Sequence, residues 1–193
     1  MINNINIIKP LLNFESEDDF YYLQILQRKK ENVELGRNSR VIKNYYIKSL
    51  EHLDKIYEEV KQLCNLFNAR AMFRLNKRSF YKTAFKALIN TSNTMANHDF
   101  INVKSQYDKA CGQGHNDKNK TWILDIDEIG RNCNDMILFI ERSCEPVGVK
   151  YITIVPSKNG LHLITKPFNL MEFKSKYPEV EVHKDNPTNL YIP

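Results

Sequence analysis

Two carboxylates one residue apart interrupt a segment that is otherwise apolar. The segment "TWILDIDE" (121–128) reads as a buried strand until Asp125, Asp127 and Glu128. Because side chains alternate between the two faces of a strand, Asp125 and Asp127 share the face that carries Ile123. Neighbouring carboxylates on a hidden face repel each other and lose hydration unless a cation or a hydrogen-bond network compensates. The pair therefore predicts a site for a hard divalent cation or a shared proton, and acids at a frayed strand end are the alternative.

A histidine lies in a hairpin predicted downstream of the acid pair. In "PSKNG", Asn159 and Gly160 are a strong signal for a tight turn, and His162 follows in the returning strand "LHLIT". Ser157 and Lys158 belong to the turn. If this hairpin joins the sheet of the acid strand, these side chains lie beside the acids. A histidine packed for structural reasons is the alternative for such a lone residue.

Basic residues follow one face of another predicted strand. In "ARAMFRL" (69–75), Arg70 and Arg74 alternate with apolar side chains, and Lys77 and Arg78 follow at the tip. Guanidinium groups match the geometry of phosphate oxygens, so this strand predicts a phosphate clamp. A solvated basic face is the alternative.

A further acid follows the last strand predicted in "EVEVH" (179–183). Asp185 ends a strand of the same predicted sheet as the acid pair, so it could complete a metal site as the third carboxylate. Taken alone, it is an ordinary turn acid before Asn-Pro. Glu181 is the rival candidate for the third position.

The pattern of elements predicts an α+β protein with two lobes and a cleft between them. Residues 1–119 read β-α-β-α: a strand in "DFYYLQILQ", a long amphipathic helix that Ser39 caps and that runs to about Phe67, the strand at 69–75, and a helix from Ser79 to about Ile89. The segment 90–119 is polar with two glycines and predicts a long mobile connection, part of which could be helical. Residues 120–193 read β-α-β-β-α-β, and Asn169 can cap the second helix. This is the ferredoxin-like split unit that RNA-recognition modules share.

Composition narrows the class of protein. The 193 residues are 42% hydrophobic with 10 Tyr and 10 Phe, which argues against disorder, and the net charge of +5 weakly favours a polyanionic partner. No signal peptide or membrane span is predicted. The four cysteines lack a CxxC pair, which predicts reduced thiols in a cytoplasmic compartment. Cys111 and His115 make only half of a zinc site, so we expect no zinc.

Taken in order, these motifs resemble those of the archaeo-eukaryotic primase superfamily, particularly primase-polymerases of phages and plasmids. The resemblance rests on "LDID", on "SKNGLH", on an acid after the final strand, and on "FRLNKRS" as the basic strand before the first motif. It covers nearly the whole chain, with the best agreement over 69–78 and 120–193. Gly160 departs from the pattern, because Ser or Thr is commoner at that position.

The resemblance implies a DNA primase-polymerase core that transfers nucleotides on a single-stranded DNA template with two Mg²⁺ or Mn²⁺ ions. It implies metal binding by Asp125, Asp127 and Asp185. It also implies contacts from His162, Ser157, Lys158, Arg74, Lys77, Arg78 and Ser79 to the nucleotide, and from Arg70 and Arg74 to nucleic acid. A separately encoded replicative helicase is the expected partner. The alternatives are a catalytically inactive nucleic-acid-binding module on the same fold, or a metal-dependent nuclease or replication initiator. Rolling-circle initiators need a histidine pair, and "GLHLIT" offers one histidine.

Overall fold

The computed structural model describes residues 1–114, 119–128 and 130–193, and within them it is an α+β structure with two antiparallel sheets and six α-helices. The strands are β1 (Ile2–Asn3), β2 (Asp19–Gln27), β3 (Arg40–Ile47), β4 (Arg70–Phe73), β5 (Arg78–Ser79), β6 (Trp122–Ile126), β7 (Tyr151–Pro156), β8 (Leu161–Thr165), β9 (Glu181–His183) and β10 (Thr188–Ile192). The helices are α1 (Ile5–Ile8), α2 (Leu50–Leu66), α3 (Phe80–Ala96), α4 (Gln106–Gln113), α5 (Asn134–Ser143) and α6 (Leu170–Lys176).

The first sheet has the strand order β1-β10-β4-β2-β3, and β5 also pairs with β2. Successive side chains of β2 point to opposite faces of this sheet, and both faces carry apolar residues. Leu23 and Ile25 lie in the same core cluster as the buried side of α2, whereas Phe20 and Tyr22 pack with Cys111 of α4. The sheet is therefore covered by helices on both sides, which explains why β2 carries buried apolar residues on both faces.

The prediction that a helix begins after Ser39 is wrong for residues 40–47. Residues 40–47 form β3, which pairs with β2, and α2 begins only at Leu50, where the Ser49 hydroxyl accepts a hydrogen bond from the backbone of His52. The segment "RVIKNYYI" is rich in β-branched and aromatic residues, and pairing with β2 buries Tyr45 and Ile47 on one face. The remaining prediction, a long amphipathic helix to about Phe67, is confirmed by α2.

The other predictions for the first half have mixed outcomes. The strand at 69–75 is confirmed, with its apolar face buried as predicted, and Ser79 caps α3 through the backbone of Lys82. The connection predicted for 90–119 contains helices over much of its length, and its mobility stays a prediction. Helix α3 continues to Ala96, and a 3-10 helix (Phe100–Ser105) leads into α4, since Ala110 and Cys111 are buried against the first sheet. Residues 115–118 lie outside the described residues.

In the second sheet the neighbouring strands follow the order β7-β8-β6-β9. Along the chain, its elements follow the order β6-α5-β7-β8-α6-β9. The predicted β-α-β-β-α-β succession is confirmed, including the Asn169 cap of α6. Helices α5 and α6 cover the face that carries Trp122, Leu124 and Ile126. The opposite face contributes Ile123 to the core of the first sheet, so this face of the acid strand is turned towards the other half of the molecule.

The last strand connects the two halves. Strand β10 pairs with β4 and β1 in the first sheet rather than with the second sheet. All five residues of β10 are buried, so the strand needs cover on both faces, and an interior position in the first sheet provides it. The predicted division into 1–119 and 120–193 therefore does not coincide with the two sheets. No helix in the described part of the chain is long and apolar enough to cross a membrane.

Candidate active site

A row of three polar side chains crosses the second sheet. Asp125 of β6 stands opposite His162 of β8 on one side and opposite Glu181 of β9 on the other. Directly opposed residues of antiparallel strands carry their side chains on the same face, with Cβ atoms about 5 Å apart. The Nε2 atom of His162 lies 3.5 Å from a carboxylate oxygen of Asp125, and Asp127 follows at the end of the strand. Strand pairing thus assembles two acids and a histidine that are distant in sequence.

Glycine at position 160 sets how closely the hairpin approaches the acid strand. A Cβ atom built on Gly160 would lie 1.9 Å from the carbonyl oxygen of Ile126 and 2.9 Å from the backbone nitrogen of Glu128. Any side chain would force the turn away from the end of β6, next to Asp127. The close approach of the turn therefore requires glycine at this position.

His162 is buried and held by a second polar contact. Its Nδ1 atom lies 2.7 Å from the hydroxyl of Thr188 on β10. Burial lowers the pKa of His162 below its ordinary value, and the nearby carboxylate of Asp125 only partly offsets that effect. The imidazole is therefore neutral at pH 7. Because a carboxylate only accepts, Asp125 favours the tautomer that carries the proton on Nε2, and in that tautomer the Thr188 hydroxyl donates to Nδ1.

A basic wall faces this row. Arg70, at the start of β4, donates two hydrogen bonds to the carboxylate of Glu31, one of them 2.9 Å from Nε to Oε2. The ammonium of Lys158 in the hairpin turn lies 3.0 Å from the same carboxylate. Burial raises the pKa of Glu31, but the hydrogen bonds from Arg70 and Lys158 outweigh it and hold the pKa below its ordinary value.

The row and the wall line one cleft of about 690 Å³ between the two sheets. Six of the residues predicted from the sequence meet there: Asp125, Asp127, Ser157, Lys158, His162 and Arg70. Glu181, the rival for the third acid, also lines the cleft. The sequence reasoning missed Glu31, His183 and the basic residues Arg28 and Lys30. Only the charge-rich segment "RKKE" (28–31) could have pointed to Arg28, Lys30 and Glu31.

The structure does not bring Asp185 into this cleft. Its carboxylate lies 2.7 Å from Arg78 and 3.0 Å from the side-chain nitrogen of Asn76, while Arg74 donates to its backbone carbonyl. We call these four residues the Asp185 network. Arg78 is almost completely buried, and burial lowers the pKa of Arg74. The network joins the β4–β5 connection to the β9–β10 connection, and it uses Asp185 as a counter-ion.

Two other predicted nucleotide contacts also lie away from the cleft and are paired with acids. Lys77 lies 2.9 Å from Asp19, and the hydroxyl of Ser79 donates to Asp18. The basic residues that the sequence predicts as a single phosphate clamp therefore lie in different places in the structure. Arg70 reaches the cleft, and the later basic residues contact acids elsewhere.

No group of three or more His, Cys, Asp or Glu side chains in the described residues is arranged to hold a metal ion as it stands. The donors at the cleft are nevertheless of the type that Mg²⁺ and Mn²⁺ prefer. Asp127 and Glu181 are exposed, so their carboxylates are free to rotate towards Asp125. The expectation of no zinc concerns Cys111 and His115. His115 lies outside the described residues, and burial raises the pKa of the Cys111 thiol to about 12.

Comparison of the chain with family models, with curated proteins and with solved structures finds no match.

Proposed function

We propose that the cleft between the two sheets catalyses metal-dependent nucleotidyl transfer on a single-stranded DNA template, as in a primase-polymerase. One observation carries the proposal. Carboxylates of the second sheet and basic side chains of the first sheet and the hairpin face each other across one cleft. A nucleoside triphosphate with its divalent cation needs this combination, because acids bind the ion while basic groups bind the phosphates. The order of the sequence motifs supports the same reading.

The metal ligands in this proposal are Asp125, Asp127 and Glu181. Glu181 replaces Asp185 as the third acid because it stands beside Asp125 in the sheet, whereas Asp185 is the counter-ion of Arg78. Two divalent ions held here would activate the attacking hydroxyl and stabilise the departing pyrophosphate. The protein supplies position and charge compensation, which is the main contribution of proteins to phosphoryl transfer.

His162 acts in the proposal as a hydrogen-bond donor to the triphosphate. The carboxylate of Asp125 favours the tautomer that carries the proton on Nε2 in the cleft, and the Thr188 hydroxyl can then donate to Nδ1. When the carboxylate of Asp125 turns to a cation, this proton becomes available to a phosphate oxygen. A neutral imidazole that donates in this way needs no change of charge during the reaction.

Arg70 and Lys158 provide the remaining phosphate contacts. Both currently share the carboxylate of Glu31, which occupies the position that a phosphate oxygen would take. A triphosphate carries more charge than one carboxylate and offers several acceptor oxygens, so it competes effectively for the two basic groups.

The deciding experiment supplies a primed single-stranded DNA template, Mn²⁺ and labelled deoxynucleotides or ribonucleotides in parallel. We expect incorporation by the native chain and none by the double variant Asp125→Ala, Asp127→Ala, which should also lose Mn²⁺ binding in calorimetry. A matched double variant at exposed acids away from the cleft, Glu17→Ala with Asp135→Ala, should retain both properties.

The alternatives give different results in the same assay. A silent binding module would bind template without incorporating nucleotides under any metal condition. A nuclease would shorten the template in a reaction that the same double variant abolishes. Unchanged Mn²⁺ affinity in the Asp125 and Asp127 double variant would exclude the proposed metal site.

A further inference from the structure

One face of helix α3 is apolar and exposed. Thr83 and Ala87 point towards the first sheet and are buried, whereas Tyr81, Phe85 and Leu88 on the opposite face are 67%, 52% and 60% exposed. The rings of Tyr81 and Phe85 contact each other, with centroids 4.7 Å apart and ring planes tilted by 55°. A contiguous apolar patch of this kind usually marks a surface that binds something.

A basic cavity lies beside this face. It has a volume of about 480 Å³, and it is lined by Lys82, Lys86, Gln113, Gly114, Lys120, Lys184 and Asp185. Four lysines thus stand around one carboxylate, and that carboxylate is already paired with Arg78 at 2.7 Å. Lys82 and Lys120 have other contacts, so the positive charge that this cavity offers to an anion is that of Lys86 and Lys184.

Two of these lysines make contacts that leave their charge uncompensated. The ammonium of Lys86 donates to the carbonyl oxygen of Gly114 at 3.2 Å, and that of Lys184 lies over the ring of Trp122 at 5.0 Å from its centroid. Within the described residues neither of them forms an ion pair with an acid. An incoming phosphate could therefore pair with both without displacing an internal carboxylate.

The aromatic and basic groups run in parallel along the helix. Lys82 and Lys86 each follow an aromatic residue, Tyr81 and Phe85, so the lysines lie about 100° around the helix from the rings. The two aromatic–lysine pairs are one turn apart, about 6 Å along the axis. Bases lying on the rings would place their phosphates on the side of the cavity. Alternating rings and lysines of this kind are the elements of single-strand binding.

We propose that this surface, consisting of Tyr81, Phe85, Lys82, Lys86, Lys120 and Lys184, binds single-stranded nucleic acid; we call it the α3 surface. The lysines bind phosphates, and the two rings stack on bases that no complementary strand covers. A protein partner fits less well, because lysine is depleted from the cores of protein interfaces. The inference goes beyond the proposed function, because the α3 surface shares no residue with the cleft and binds a strand whether or not the cleft is catalytic.

The position of the α3 surface also relates it to the cleft. In the connection between β9 and β10, Lys184 and Asp185 line the basic cavity, and Asn186 and Pro187 line the cleft. The two sites therefore lie on opposite sides of one short segment. A strand bound on the α3 surface can continue over this segment into the cleft.

The test measures binding of a labelled single-stranded oligothymidylate by fluorescence anisotropy over a range of salt, without metal or nucleotide. Replacing both rings, Tyr81→Leu with Phe85→Leu, keeps the surface apolar but removes stacking, and should weaken binding roughly 10-fold. Lys86→Gln with Lys184→Gln should lower the slope of log affinity against log salt by roughly 1.4. The control Lys55→Gln with Lys166→Gln changes exposed lysines elsewhere by the same charge and should leave the slope within experimental error.

Three outcomes would overturn the inference. One is an equal decrease of the salt slope in the two double-lysine variants, which would mean that the slope depends only on the net charge of the chain. Another is binding that the ring variant leaves unchanged. The third is self-association of the native chain in sedimentation that the ring variant abolishes while strand binding persists, since the rings would then form an interface between copies. The assay contains neither metal nor nucleotide, so its outcome does not depend on whether the cleft is catalytic, which separates this inference from the catalytic proposal.

Discussion

The cleft and the Asp185 network both combine acids with basic groups, and they do so in opposite ways. In the network, Asp185 lies 2.7 Å from the buried guanidinium of Arg78 and receives a further hydrogen bond from Asn76. In the cleft, the nearest partners of Asp125 and Glu181 are histidines, at 3.5 Å and 3.4 Å. Removing an acid that is paired with a buried guanidinium destabilises a fold, whereas an acid that lacks a cationic partner is available to a ligand.

Arg70 is an intermediate case that sharpens this difference. It belongs to the same basic segment as Arg74 and Arg78, yet it lies in the cleft and is paired with Glu31. Its partner also contacts Lys158, so one carboxylate serves two basic groups. Two basic groups facing one carboxylate leave a net positive charge in this part of the cleft, and a phosphate can pair with it.

The largest expected effect is on stability, in the network. Asp185→Ala leaves the buried guanidinium of Arg78 without its counter-ion, and should lower the free energy of unfolding by about 3 kcal/mol. Asp125→Ala should leave that free energy unchanged or raise it, since it removes an acid without a cationic partner. Urea denaturation of both variants measures the contrast. If Asp185→Ala is as stable as the native chain but does not bind Mn²⁺, Asp185 is a ligand after all and the comparison fails.

Gly160→Ala tests how far the cleft depends on the close approach of the hairpin. The new methyl group meets the carbonyl oxygen of Ile126, so the turn and His162 must move relative to Asp125. A displacement of about 1 Å is expected to reduce kcat/KM for nucleotide incorporation roughly 100-fold. Asn159→Ala, at the neighbouring exposed position, is the control. Equal activity of the two variants would show that the site tolerates movement of the turn.

His162→Ala should reduce kcat/KM roughly 10- to 100-fold, since a hydrogen bond to a charged phosphate is lost. Mn²⁺ affinity without nucleotide should stay close to that of the native chain, because His162 is not a proposed metal ligand. Thermal midpoints and steady-state kinetics are measured on the same preparation. A destabilised variant with normal kcat/KM would assign His162 to packing alone.

The smallest expected effect is at Glu31. Glu31→Gln keeps an acceptor for Arg70 but removes the charge that competes with phosphate, so the KM for nucleotide should fall by roughly 2- to 5-fold. Glu34→Gln, three residues further along, is the matched control. A rise in KM instead would mean that the carboxylate of Glu31 orients Arg70 for binding.

Local patterns in the sequence determined much of the fold. The hairpin at Asn159-Gly160, the caps at Ser79 and Asn169 and the two-faced strand at 69–75 could be predicted because each depends on neighbouring residues. The acid pair and His162 were found in the same way. Strand period and turn chemistry are properties of short segments, so they need no knowledge of the tertiary structure.

Pairing over long distances was decided only by the tertiary structure. Residues 40–47 became a strand because β2 offered a partner, and β10 joined the first sheet because all its residues had to be buried. Arg78 and Asp185 are 107 residues apart, and Lys158 and Glu31 are 127 apart. The tertiary structure decides which segments meet, and therefore whether a carboxylate is paired with a guanidinium or can bind a ligand. The sequence therefore predicted which acids and bases could act, and the packing of the two sheets decided that Glu181 lies in the cleft while Asp185 holds Arg78.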